Sequence, residues 1–217
     1  MKGLSMLRKN IGPVTVMGFA RYSAKPEVDP ADLIAATRVW QSEFLAHQPG
    51  IAMHCFLGNL KGDFADAIFA TDEASFIAMA QEHPKASSTG PVMEMLDRDS
   101  IRLAKNNLLG GPVSLPVDFS CVEFGTFSPK EPKSFTEERL LDASRKIESA
   151  YLASFEEAKS HFVARVDEST YSEIAFVETS GAAREICGGY MDNKDCTPML
   201  EMFDPKSVDL DFWHVLA

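Results

Sequence analysis

The sequence predicts an α+β protein made of two similar halves, each with the element order βαββαβ. Two observations carry this. The segment from Pro91 to Leu103 (PVMEMLDRDSIRL) recurs in the second half as Pro198 to Leu210 (PMLEMFDPKSVDL), with six of thirteen positions identical. The same offset, Pro91 to Pro198, also pairs Phe69 with Phe176 inside two apolar runs. A period this long is domain-sized, since solenoid units run to roughly 20–50 residues. The 217 residues therefore divide into a first repeat at 1–109, a linker at 110–116 and a second repeat at 117–217.

In the first repeat, Val14 to Arg21 reads as a strand behind Gly12-Pro13, and Ser23 to Val28 as a loop. Asp29-Pro30 supplies an N-cap followed by proline at the first helical position, where its missing N–H is harmless. Leu33, Trp40 and Phe44 follow at helical spacing, until Gln48-Pro49-Gly50 stops the helix. Ile51 to Leu57 and Phe64 to Ala70 form a hairpin about a turn at Asn59 to Asp63. A second helix runs from about Asp72 to Glu82, breaks at Pro84 and resumes from Pro91 to Leu96. Ser100 to Leu108 is the closing strand.

The second repeat follows suit. Val117 to Phe127 is strand-like, and Ser134 to Glu137 reads as a capping box for a helix reaching about Lys159. Strands are expected at His161 to Asp167 and Ser172 to Glu178. A helix follows from Ser180, interrupted at Gly188-Gly189 and restarted at Pro198, and Val208 to Leu216 is the last strand. This order is the split βαβ, or ferredoxin-like, unit: a four-stranded antiparallel sheet with two helices on one face. The strands are apolar on both sides, so the two sheets are expected to face each other in an α+β barrel.

Composition excludes several functions. A net charge of −11 argues against a nucleic-acid or membrane partner, which needs clustered Lys and Arg. No apolar stretch approaches the ~18 residues of a membrane span. The basic N-terminus lacks a signal-peptide core. Cys55, Cys121, Cys187 and Cys196 show no metal spacing, which fits a reduced, cytoplasmic protein. Gly110-Gly111-Pro112 lacks the residues of a phosphate loop, and no H-E-x-x-H or G-x-S-x-G is present.

Gln48-Pro-Gly-Ile51 before the second strand, with His83 and then Pro91 to Leu96, resembles the monooxygenase-like members of the dimeric α+β barrel superfamily. That group includes the antibiotic-biosynthesis monooxygenases, the stress-responsive barrel proteins and the muconolactone isomerases. They usually pair two chains, whereas here both halves lie in one. The resemblance implies a small hydrophobic or aromatic ligand and a monomer or weak homodimer. It also implies chemistry with no cofactor, because an electron-rich substrate itself activates oxygen.

His54, alternating with Ala52 and Phe56, is either a satisfied buried histidine or a catalytic group projecting with Phe56 into a cavity between the sheets. His83 and Tyr190, related by the repeat offset, are either solvent-facing helix-end residues or proton-transfer groups. Glu123 lies in an apolar strand and needs a partner. Arg165 is its natural partner, and with Arg21 these charges form an ion pair or anchor a substrate. Trp213 or His214 faces inward on the last strand. Trp40 belongs to the core, and His47 to the surface. In this reading His54 meets His161 only with a shift, so a site survives in at most one half.

Three functions remain open: a cofactor-independent monooxygenase-like enzyme on an aromatic or polyketide-like substrate, a non-catalytic carrier or stress-associated barrel, and a haem protein. The last is implied by similarity to chlorite-dismutase-like architecture, with His161 and His214 as the available second-half ligands.

Overall fold

A computed structural model describes residues 6–217; residues 1–5, part of the N-terminal segment read above, lie outside the described residues. The chain divides into two compact units. One comprises residues up to Lys105 with Pro112–Ser114 and Val215–Ala217, and the other Asn106–Gly111 with Leu115–His214.

The first unit holds a short β1 (Leu7–Arg8), absent from the predicted order, then β2 (Val16–Tyr22), α1 (Pro30–Glu43), β3 (Ile51–Gly58) and β4 (Phe64–Ala70). α2 (Glu73–Glu82), α3 (Thr89–Met95) and the start of β5 (Arg102–Leu108) complete it. Strand β4 is flanked by β3 and β2, antiparallel to both. The caps follow the sequence: Asp29 accepts from Ala31 N–H at the head of α1, and Asp72 from Ser75 N–H at the head of α2. At Pro84 the helix gives way to a single 3₁₀ turn, His83–Lys85.

In the second unit β6 (Cys121–Phe127), α4 (Glu137–Ala150), β7 (Ala158–Arg165), β8 (Tyr171–Val177), α5 (Ser180–Gly189), α6 (Thr197–Leu200) and all but the last residue of β9 (Asp209–Val215) repeat the order. Helix α4 ends at Ala150, well before Lys159: the Tyr151 N–H closes on Ile147 O, and a 3₁₀ turn leads into β7. Its cap is Thr136, which accepts from Arg139 N–H, while Ser134 donates to Glu131 O in the preceding turn. The first strand begins at Cys121 rather than Val117, which is exposed.

Comparison of the units refines the period. α1/α4, β3/β7, β4/β8, α2/α5 and β5/β9 all keep the offset that relates Pro30 to Glu137 and Ile51 to Ala158. β2 and β6 do not: Val16 matches Cys121, an offset shorter by two. The difference is taken up in the loop before α4, which runs from 128 to 136 where its counterpart runs from 23 to 29.

Gly50 lies at φ +73°, and a Cβ there would collide with Ser75 Oγ. Its carbonyl accepts from Thr71 N–H. Gly50→Ala is therefore expected to lower unfolding free energy by about 2 kcal/mol or more. An unchanged urea midpoint would contradict this.

Candidate functional site

A buried carboxyl organises the first unit. Asp66, in the central strand β4, stands opposite Ala20 of β2 and Phe56 of β3. Tyr22 and His54 lie two positions along on the neighbouring strands, so both are its diagonal neighbours on the same face, within reach of long side chains. Tyr22 donates its hydroxyl to Asp66 Oδ2 at 2.6 Å, and His54 Nε2 lies 2.8 Å from Asp66 Oδ1. The other ring nitrogen of His54, Nδ1, is 2.9 Å from the Gln41 amide nitrogen on α1. A neutral ring satisfies both contacts, donating from Nε2 and accepting at Nδ1. Burial, then the charge and hydrogen bond of Asp66, push the Tyr22 hydroxyl well above its ordinary pKa of 10, so it remains a donor.

Asp66 and Tyr22 open onto a cavity of about 310 Å³ between this sheet and its own helices. Ile68, Phe76, Met79 and Val92 supply apolar wall, and Trp40 and His83 an aromatic one. The Trp40 and His83 rings meet edge to face, 5.4 Å between centroids. The Trp40 indole N–H is buried without a hydrogen-bond partner. Gly18 forms part of the floor because the Phe76 ring occupies the place where its Cβ would be. Half-buried His83 stands at the rim. Burial lowers its pKa below 6.5 against the opposing charge of Asp66, so near neutral pH it is a proton acceptor.

The expected residues separate accordingly. His83 lines this cavity, whereas His54 is wholly buried behind Asp66 and faces α1. The expectation that His54 projects into a space between the sheets is thus corrected: strand alternation put His54 and Phe56 together, but which face packs on the helices was decided by tertiary structure. Phe56 stacks on Phe64 in the core, 5.6 Å between centroids. Arg21 is half-buried on β2 and does not line the cavity. Tyr190 is buried against Tyr151 rather than solvent-facing. Trp213 is buried on β9 opposite Val122. Arg165 does not partner Glu123. It is exposed at the end of β7, 3.3 Å from Glu137.

His54 does have a counterpart without a shift. His161 stands at the same offset as the repeated segments and holds the matching register, His54 opposite Ile68 and His161 opposite Ala175. Asp66 becomes Glu173, and Gln41 becomes Glu148. His161 Nε2 is 2.8 Å from Glu173, and Nδ1 is 3.3 Å from both Glu148 and Ser144. With carboxylates at both nitrogens the ring must donate twice, which requires the cation. Burial opposes that charge, but the hydrogen bonds and charges of Glu148 and Glu173 outweigh it and raise His161 to about 9. Both nitrogens being taken, His161 does not fit as a haem ligand. Asp66, Tyr22 and Gln41 went unnoticed in the sequence. The signal was present, because His54/His161, Asp66/Glu173 and Gln41/Glu148 all share the offset of Pro91 to Pro198.

Two other depressions on the second unit, of about 530 and 500 Å³, have largely polar, exposed rims such as Arg139, Asp142 and Glu156. Among the described residues no His, Cys, Asp and Glu cluster could hold a metal ion, and no helix is long and apolar enough to cross a membrane.

No protein-family model and no curated protein matches the chain. Solved structures do. A candidate monooxygenase from Lactobacillus acidophilus NCFM aligns at 10% identity and TM-score 0.64, covering 93% of this chain and 94% of its own. An anthrone oxidase-like protein aligns at 13% identity and TM-score 0.59, covering 98% and 94%. A mutant chlorite dismutase from Candidatus Nitrospira defluvii aligns at 7% identity and TM-score 0.62, covering 94% and 92%. The chain shares its α+β fold with these structures. At these identities the likeness establishes fold alone.

The second unit carries a pH signature. A folded-state pKa raised to about 9 means that His161 contributes stability fully below about 6.5, lost as pH rises through 9. Glu123 is likewise raised, by burial and then by Glu173, so ionising it also weakens the fold as pH rises. Tm is expected to fall between pH 6.5 and 9, and to fall less in Glu123→Gln. Parallel Tm–pH curves for the two proteins would contradict the assignment of Glu123.

Proposed function

We propose that the first unit is a cofactor-independent monooxygenase-like enzyme acting on an aromatic or polyketide-like substrate. The single observation that carries this reading is the combination of a neutral His83 and the Asp66 carboxyl in one otherwise apolar, aromatic-walled cavity. A cavity of that kind suits a flat apolar ligand fixed by a few polar groups. The anthrone oxidase-like and monooxygenase-candidate structures support the same class by fold.

His83 accepts a proton from an acidic C–H of the substrate, as a general base whose pKa burial holds below the ordinary histidine value. The resulting electron-rich carbanion reduces dioxygen directly. For a CH₂ centre the balance is CH₂ plus O₂ giving C=O plus water, with the electrons supplied by the substrate. Asp66 orients the substrate from the opposite wall and favours the protonated His83 formed in the step. His54 is a positioning residue, holding Asp66 from behind while Gln41 fixes its tautomer. In this reading the substrate lies on the helix side of the sheet.

Oxygen uptake with 1,8-dihydroxyanthrone tests this. Wild-type protein is expected to exceed the uncatalysed rate, with kcat/KM rising through a pKa below 6.5. His83→Ala should lose on the order of 10²–10⁴-fold in kcat. His54→Ala should lose less in kcat and raise KM. Ligand binding without uptake would instead leave a carrier.

A further inference from the structure

The second repeat contains a residue that its relationship to the first does not predict. Because β2 and β6 follow the shorter offset, Val16 to Cys121, the counterpart of Gly18 is Glu123. Gly18 stands opposite Ile68 and Glu123 opposite Ala175, the same register position in each unit. Gly18 floors the first unit's cavity and is a diagonal neighbour of Asp66. Glu123 is the corresponding neighbour of Glu173, which occupies the position of Asp66. The Glu123 side chain is buried and hydrogen-bonded to Cys187 on α5, whose own counterpart, Ala80, lines the first cavity. The ring of Phe76 is replaced by Ala183, which leaves room for that side chain. The remaining changes agree, with His83 becoming a buried Tyr190 and Tyr22 becoming Phe127.

We infer that Glu123, its stem in the space that the Phe76 ring takes in the first unit and its carboxyl beside Cys187, is a built-in occupant of the second unit's ligand cavity, and that this carboxyl marks where a ligand's neutral, hydrogen-donating hydroxyl meets Asp66 in the first. The inference rests on the cavity assigned above and adds the head group that this cavity selects. The head group is neutral because it must share an apolar site with a second carboxyl, and two carboxylates so placed repel each other. Burial and the Glu173 charge accordingly raise the pKa of Glu123 and favour its protonated form. In the first unit an aromatic hydroxyl satisfies the same position, with its flat body against Trp40, Phe76 and Met79. An aromatic carboxylate does not. Among the described residues the first unit therefore keeps its cavity of this type open, and the second fills its own.

Ligand-observed NMR at pH 7.5 with 1-naphthol, naphthalene and 1-naphthoate tests this without any oxygen chemistry. Wild-type protein should bind one 1-naphthol per chain, about 10-fold or more tighter than either other probe, as a hydrogen bond to a charged acceptor allows. Glu123→Ala should bind two. Naphthoate binding as tightly as naphthol, no naphthol binding, or a folded Glu123→Ala that still binds one would each overturn the inference. If that variant does not fold, the probe order in the wild type decides alone. Naphthol preference without oxygen uptake sinks only the enzymatic reading. Uptake with equal naphthoate binding sinks only this one.

Discussion

A histidine in the middle of an apolar β-hairpin has to be satisfied from within the fold, and much of this protein follows from how that is done. His54 and His161 are both buried. Each reaches diagonally across its hairpin to a carboxyl on the next strand, 2.8 Å away. Each also reaches up to the helix covering the sheet, through Gln41 or Glu148. One side chain thus ties together two strands and a helix. A buried polar group left without such partners is costly, so the three positions must change as a set.

The two units solve the same constraint with different charge. Gln41 offers His54 an uncharged amide, and Asp66 keeps its remaining contacts for Tyr22 and the cavity. Glu148 makes His161 a cation, which compensates Glu173 and moderates the cost of Glu123 beside it. Two carboxyls buried together without that cation would be unfavourable for either to ionise. The first arrangement leaves a polar group facing open space, and the second consumes its polar groups internally. The two units differ here in electrostatics as well as in side-chain volume.

The element order was legible because local physics writes it plainly. Asp29-Pro30 and Asp72 start helices at the expected places, Gln48-Pro49-Gly50 stops one, and the Asn59–Asp63 turn separates two continuous apolar runs. Errors fell where neighbours in space compete with local signals. Ser134 has the look of a cap, yet Thr136 takes that role. α4 stops at Ala150 because the chain must turn into β7. Asp66 escaped notice because a single acid in an apolar run has no local signature. Only its alignment with Glu173 distinguishes it.

What the sequence determined by itself is therefore the α+β order that occurs twice along the chain and the residues that recur at a fixed offset. Those depend on chain-local periodicity and turn chemistry. What only the tertiary structure decided is which face of each strand meets the helices, and that β2 and β6 are related by a shorter offset than the elements after them. From the second follows the placing of Glu123 where the first unit has Gly18. The physical reason is that strand alternation specifies two faces without naming them. A small change in loop length shifts the correspondence without leaving any periodic trace. Both are settled only when side chains are packed against one another.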